Sequence, residues 1–185
     1  MIARFYEQIL FELKTTLAKL DEGSIDQLVE AIVESGRIYV AGTGRSGLMV
    51  RGLAMRLMHL GLRAFVVGET ITPGISDGDL LIIGSGSGET GSVANYARQA
   101  KKHNARVGLI TIFPDSTIGR LADITVHISA PTSKKSQDNG PTSIQPMGSL
   151  FEQSLMLVCD GMILKLMERL HADPNTMWGQ HANLE

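Results

Sequence analysis

Apolar residues recur every four positions at the start of the chain, at Phe5, Ile9, Leu13 and Leu17, a spacing that predicts one face of a helix. The pattern stops near Leu20-Asp21-Glu22-Gly23. Ser24 then reads as the N-cap of a second helix, with Ile25, Leu28, Val29, Ile32 and Val33 on its apolar face. Residues 1–35 are thus expected to be N-terminal helices. After Gly36 the period changes, and Ile38-Tyr39-Val40-Ala41 is a short continuous apolar run of the kind that forms a buried strand.

From there glycine punctuates a regular alternation. Gly42-Thr43-Gly44-Arg45-Ser46-Gly47 leads into a helix expected over 47–60, and Ala64-Phe65-Val66-Val67 is a second strand. Asp79 to Gly84 is a third, followed by Ser85-Gly86-Ser87-Gly88-Glu89-Thr90 and a helix over 91–103. Arg106 to Thr111 is a fourth strand, 116–122 a short helix, and Ile124 to Ile128 a fifth strand. Uninterrupted aliphatic strands alternating with helices predict an α/β fold, a parallel five-stranded sheet covered on both faces with right-handed crossovers. The polar, Pro/Ser/Thr-rich stretch 130–146 reads as a loop, long enough to expect a function of it. A strong helix is expected over 147–170, then a tail, 173–185, in which Trp178, His181 and Leu184 recur every three residues and predict a short docked helix.

Composition adds exclusions. The 185 residues are 43% apolar and 19% charged with a formal charge of -2, which gives no reason to expect nucleic acid or an anionic membrane as partner. No apolar run approaches a membrane span, and the N-terminal segment lacks the features of a signal peptide. The lone Cys159 has no internal partner for a disulfide, which suits a reducing compartment. The expectation is one soluble cytoplasmic domain over 1–185.

The chemistry concentrates in the two glycine-serine loops, each between a strand and a helix. In a parallel sheet such loops lie at the carboxyl edge of the strands, where ligands bind at the switch point of the strand order. Helix N-termini there present unpaired N–H groups and a positive dipole end, and both favour a phosphate. Glycine lets the backbone approach closely, and Ser/Thr hydroxyls donate to phosphate oxygens. The bland alternative is a pair of tight turns with helix caps. Neither loop is a P-loop, because no Lys follows the glycines. Gly42-x-Gly44-x-x-Gly47 satisfies G-x-G-x-x-G, but no acidic residue closes the next strand to hold a ribose. A third constellation is Pro146-Met147-Gly148, a helix start, followed by Glu152 with Leu155, Met156 and Cys159 on neighbouring helical positions. Glu152 is either a surface carboxylate favoured by the dipole or an inward one suited to act as a general base. Arg45 can reach a bound phosphate or pair with Glu89. His59, at a helix end, reads as structural, and Met49, Met55 and Met58 as core or subunit interface.

The loops GTGRSG and GSGSGET followed by PMGSLFEQ resemble the sugar isomerase (SIS) domain family over nearly the whole chain. The segments AMRLMHLG and QHANLE resemble its branch acting on hexulose phosphates. The resemblance implies a three-layer, flavodoxin-like sandwich of strand order 2-1-3-4-5. It implies Ser46, Ser85, Ser87 and Thr90 as phosphate ligands, with Gly44, Arg45, Gly86, Gly88 and Glu89 lining the rest of the pocket. It places the catalytic base on Glu152. It also implies a homotetramer, no cofactor and no metal, and the interconversion of 3-hexulose 6-phosphate with fructose 6-phosphate after formaldehyde has been joined to ribulose 5-phosphate (the ribulose monophosphate pathway). Other aldose–ketose isomerases of the family, or a phosphosugar-sensing module, are the alternatives. If the tail, at a subunit interface, crosses to a neighbour, His181 becomes a second catalytic candidate in that neighbour's pocket.

Overall fold

The computed structural model of the protein describes residues 2–131 and 143–184, so most of the predicted loop 130–146 lies outside the described residues. Two helices, α1 (Ile2–Leu17) and α2 (Glu22–Glu34), precede β1 (Ile38–Ala41), α3 (Gly44–His59), β2 (Ala64–Val66) and β3 (Leu80–Gly84). Then follow α4 (Gly91–Lys102), β4 (Arg106–Thr111), β5 (Ile124–His127), α5 (Ser149–Arg169) and the short α6 (Pro174–Trp178). The strands form one sheet in the order β2-β1-β3-β4-β5, with every neighbouring pair parallel, as expected.

The strands read as continuous apolar runs because both faces are covered. Alternate side chains point to opposite faces. Ile38, Val40, Leu80, Ile82, Ile110 and Val126 join a core with α2, α3 and α5, while Tyr39, Ala41, Leu81, Ile83, Val107 and Leu109 join a second core with α4. Full burial of each Leu or Ile contributes roughly 1.5–3 kcal/mol. At the amino edge of the sheet, Arg37 donates to both Asp79 oxygens at 3.1 and 2.8 Å, fastening β1 to β3. Burial pushes the Asp79 carboxyl up, but hydrogen bonds from Arg37 and Ser76 outweigh it and hold it below its ordinary value.

Four local expectations differ from the structure. The N-cap of α2 is Asp21, not Ser24, because the Asp21 carboxylate accepts from both Gly23 N and Ser24 N. No helix forms over 116–122; the chain runs through turns there, since Ile118 N donates across to Gly88 O and Gly119 is pressed on the Pro114 carbonyl. Helix α3 starts three residues early, at Gly44, whose φ of +57° is the left-handed conformation that glycine alone adopts cheaply. On α1, Leu13 and Leu17 pack against the core, but Phe5, Tyr6, Leu10 and Phe11 face outward. Of the methionine stripe, Met49 packs against the core while Met55 and Met58 are exposed, which the reading as core or subunit interface allows.

Candidate active site

The two glycine-serine loops leave the carboxyl ends of β1 and β3, adjacent strands in which Ala41 pairs with Ile83. They are pressed together backbone on backbone. A side-chain carbon on Gly42 would stand 2.9 Å from the Gly84 carbonyl oxygen, and one on Gly47 would stand 2.7 Å from that of Gly42. Glycine here is a requirement of close approach, which is also what lets main-chain amides converge on a ligand. The loops open into α3 and α4, whose N-caps are Thr43 and Thr90. Neither threonine spends its side chain on capping, so two hydroxyls stand beside the unpaired first-turn N–H groups of two neighbouring helices. Such a place favours an anion.

The second loop is braced from within and from below. Ser85 Oγ accepts from Gly88 N, and Ser87 Oγ from Glu89 N, each at 3.2 Å. Each hydroxyl keeps its own proton for another acceptor. Ser85 is buried, which makes it first a strut of the loop, whereas Ser46, Ser87 and Thr90 are half-buried and reachable. Gly86 and Gly88 carbonyls accept from Ile112 N and Ile118 N in the β4–β5 connection. Glu89 turns the same way, accepting from Thr117 N at 2.7 Å. Hydrogen bonds from Thr117 hold its carboxyl below the ordinary value. The pairing of Arg45 with Glu89 is therefore not formed.

Arg45 reaches the third constellation instead. Its Nη1 stands 2.9 Å from Glu152 Oε2 and donates to Ser149 Oγ at 2.8 Å. Glu152 lies in the first turn of α5 with a side chain 18% exposed, where the helix dipole favours its charge. Its neighbours Leu155 and Cys159 are buried, as an inward face requires, but Met156 is exposed. The helix is seated on the loops: ideal side-chain carbons on Gly84 and Gly86 would stand 2.9 Å from Leu155 Cδ2 and 3.1 Å from Phe151 Cδ1. What aims α5 comes from the other end of the sequence. Glu12 on α1 accepts from Ser143 Oγ, Ile144 N and Gln145 Nε2 at 2.7, 2.8 and 2.9 Å. Gln145 Oε1 in turn accepts from Gln153 Nε2, beside Glu152. Burial pushes the Glu12 carboxyl up, and these three bonds bring it below its ordinary value.

Comparison with known proteins bears on this arrangement directly. The SIS domain family model matches residues 31–157, the span from α2 to α5 that builds both loops and Glu152. The chain belongs to the SIS domain family. It is 50% identical over 182 residues to the 3-hexulose-6-phosphate isomerase of Bacillus subtilis (strain 168), covering 98% of this chain and 97% of that one. Against the 3-hexulose-6-phosphate isomerase of Mycobacterium gastri the identity is 45%, over 94% of this chain and 86% of that one. A crystal structure from Methanococcus jannaschii, for which a function of 3-hexulose-6-phosphate isomerase was inferred, superposes with a TM-score of 0.84 at 33% identity, covering 98% of this chain and 99% of that one. With relatives of this closeness, the protein is an isomerase of the SIS family.

His181 does not join this SIS site within its own chain. Its ring stacks on His59, with centroids 5.5 Å apart, and meets Trp178 in a tilted contact at 5.0 Å. His59 closes α3, thirteen residues beyond Ser46, or roughly 20 Å along the helix axis. His59 is buried, and its ring is held below its ordinary value by that burial first, then by Arg56 and His181. The expected tail helix is present but ends at Trp178. A groove of about 450 Å³ between α2 and α5 is lined by Asp26, Glu30, Lys165 and Arg169. It carries no site, because Lys165 is already paired with Glu22 and Asp26, and Arg169 with Glu30. Sequence reasoning did not single out Thr43, Ser149, Gln145 or Glu12. Thr43 was readable, as the residue before a helix inside the first loop; the others become visible only through contacts distant in sequence.

Proposed function

We propose that the protein interconverts 3-hexulose 6-phosphate and fructose 6-phosphate, with the phosphate held by Ser46, Ser87 and Thr90 and the proton carried by Glu152. One observation carries the reading: a carboxylate stands against an anion cradle in a chain 50% identical to a 3-hexulose-6-phosphate isomerase. The reaction moves a carbonyl from C3 to C2. Glu152 takes the proton from C2, giving a cis-enediolate across C2 and C3, and returns it to C3 while the hydroxyl proton passes from O2 to O3. One carboxylate serves both adjacent carbons, and hydroxyl and amide donors at the helix N-termini steady the oxyanion. Atoms and electrons balance without any co-reactant. On this reading the substrate is the aldol product of formaldehyde and ribulose 5-phosphate, and the step belongs to formaldehyde fixation by the ribulose monophosphate pathway, in the cytoplasm.

The test couples the protein to a hexulose phosphate synthase fed with formaldehyde and ribulose 5-phosphate. Fructose 6-phosphate is the expected product, and its absence with folded protein and active synthase refutes the substrate. Glu152→Gln should bind fructose 6-phosphate yet lose turnover by about 10²–10⁴-fold, the usual contribution of a positioned base; near-full activity would show that Glu152 is not the base. The reading extends to a single-domain homotetramer, supported by Tyr6, Leu10 and Phe11, which leave α1 with an outward apolar face at 62, 65 and 70% exposure.

A further inference from the structure

The Arg45–Glu152 contact assigns a role to a residue that otherwise reads as a phosphate ligand. Arg45 sits in the first turn of α3, next to Ser46, so proximity alone would hand its charge to the phosphate. Its guanidinium is already committed elsewhere. Nη1 bridges Glu152 Oε2 at 2.9 Å and Ser149 Oγ at 2.8 Å, which ties the start of α3 to the start of α5. Glu152 Oε1 makes no hydrogen bond among the described residues and faces Gly148, 3.8 Å from the place a side-chain carbon there would take. One carboxylate oxygen is held and the other is left free. A base that must reach two adjacent carbons in turn needs this asymmetry, since a carboxylate free to rotate would lose the alignment between the two transfers.

We infer that Arg45 is the positioning residue for Glu152: it fixes the carboxylate through Oε2 and leaves Oε1 as the oxygen that transfers the proton. Ser149 completes the device by accepting from the guanidinium on the side of α5, so that the base and the second anchor of the clamp share one helix turn. The contact is made without substrate, with Arg45 53% exposed and Glu152 18% exposed. The hydroxyls and amides of the two loops then bind the phosphate without the arginine.

The inference rests on Glu152 being the base, and the experiment separates the two. Arg45→Met and Glu152→Gln are each assayed for kcat and KM with 3-hexulose 6-phosphate generated in situ, and for the Kd of fructose 6-phosphate by calorimetry. Arg45→Met should lower kcat by about 30- to 100-fold, the scale of a misplaced catalytic group, with Kd within threefold of the parent. Arg45→Lys, which keeps the charge but loses the planar fork, should recover part of the lost kcat. A Kd raised more than tenfold with kcat retained would make Arg45 a phosphate ligand and overturn the inference, even with Glu152→Gln inactive. Near-full activity of Glu152→Gln removes the base itself and the inference with it. Should Arg45→Met fail to fold, Arg45→Lys decides alone: a reduced kcat at unchanged Kd upholds the positioning role, and unchanged kcat ends it.

Discussion

Gly88→Ala isolates how far the second loop depends on one missing side chain. Gly88 has a φ of +61°, and a side-chain carbon there would stand 1.9 Å from Ser116 Oγ and 2.5 Å from Ser116 Cβ. Two costs follow. The left-handed backbone costs alanine about 1–2 kcal/mol, and forcing a methyl into occupied space costs a further ~1–3 kcal/mol. The loss of freedom in the unfolded chain returns about 0.4–1 kcal/mol. The net destabilisation is about 3 kcal/mol, or roughly 6–12 °C in Tm for a chain of this size. Thermal melts followed by circular dichroism measure it. Binding of fructose 6-phosphate should weaken in parallel, because Ser85 Oγ holds Gly88 N and any shift of that residue moves the serines.

The two costs are separable. Ser116→Gly removes both atoms in the clash but leaves the backbone angle alone. By itself it should destabilise by about 0.5–1.5 kcal/mol, through the hydrogen bond that Gly119 N donates to Ser116 Oγ. Combined with Gly88→Ala it should recover about 1–3 kcal/mol, a coupling of the size expected for residues in contact. Gly91→Ala, where no atom lies within 4 Å of the new carbon, is the control and should be close to neutral. Strictly additive losses in the double variant would refute the steric part of the argument, and a neutral Gly88→Ala would refute all of it.

Two further outcomes bear on the tail and the assembly. The His59 ring is held below its ordinary value, so the unfolded chain binds more protons below about pH 6.5; stability is full above that pH and falls as pH drops through it. Tm should therefore decrease between pH 7.5 and 5.5, with a change in emission of Trp178, the chain's one tryptophan; a His59→Gln variant with the same pH dependence would rule His59 out as the cause. In sedimentation velocity the protein should run as a tetramer and Leu10→Glu should shift it to smaller species; a monomeric parent would remove the assembly reading.

The sheet and its ligand edge were legible in the sequence because they are encoded locally. Strands buried on both faces must be continuous aliphatic runs, and the turns between strand and helix must be glycine where backbones touch, as at Gly42 and Gly47, or where side chains crowd the main chain, as at Gly84. Boundaries were less legible. Asp21 displaced Ser24 as a cap because both are residue types whose side chains accept from the amides two and three positions on, and the choice depends on where the chain bends. Partnerships across the fold were not legible at all. Nothing near Glu12 announces that it fastens a segment more than 130 residues away, and nothing near Glu89 announces Thr117. Arg45 is the clearest case: its charge and its place in a phosphate loop were visible, but its partner on α5 is set by the packing of α3 on α5.

These partnerships divide the site into parts that can change independently. The phosphate cradle is locked by backbone contacts among Gly42, Gly47 and Gly84 and by main-chain bonds from the β4–β5 connection, so altering its shape means altering the sheet edge. Glu152, the proposed base, is by contrast aimed by side chains: Arg45 and Ser149 on one side, Glu12, Gln145 and Gln153 on the other. Residues 143–148 join these two sets and include Met147, held at a φ of +56° and 84% exposed directly before the α5 start. A backbone held in that region costs a non-glycine residue about 1–3 kcal/mol, and the Glu12 hydrogen bonds stabilise the same turn. With the roles proposed above, substrate length is set by the separation of a rigid cradle and an adjustable base. A change confined to 143–148 is then expected to move Glu152 along a sugar chain while the phosphate stays on the loops.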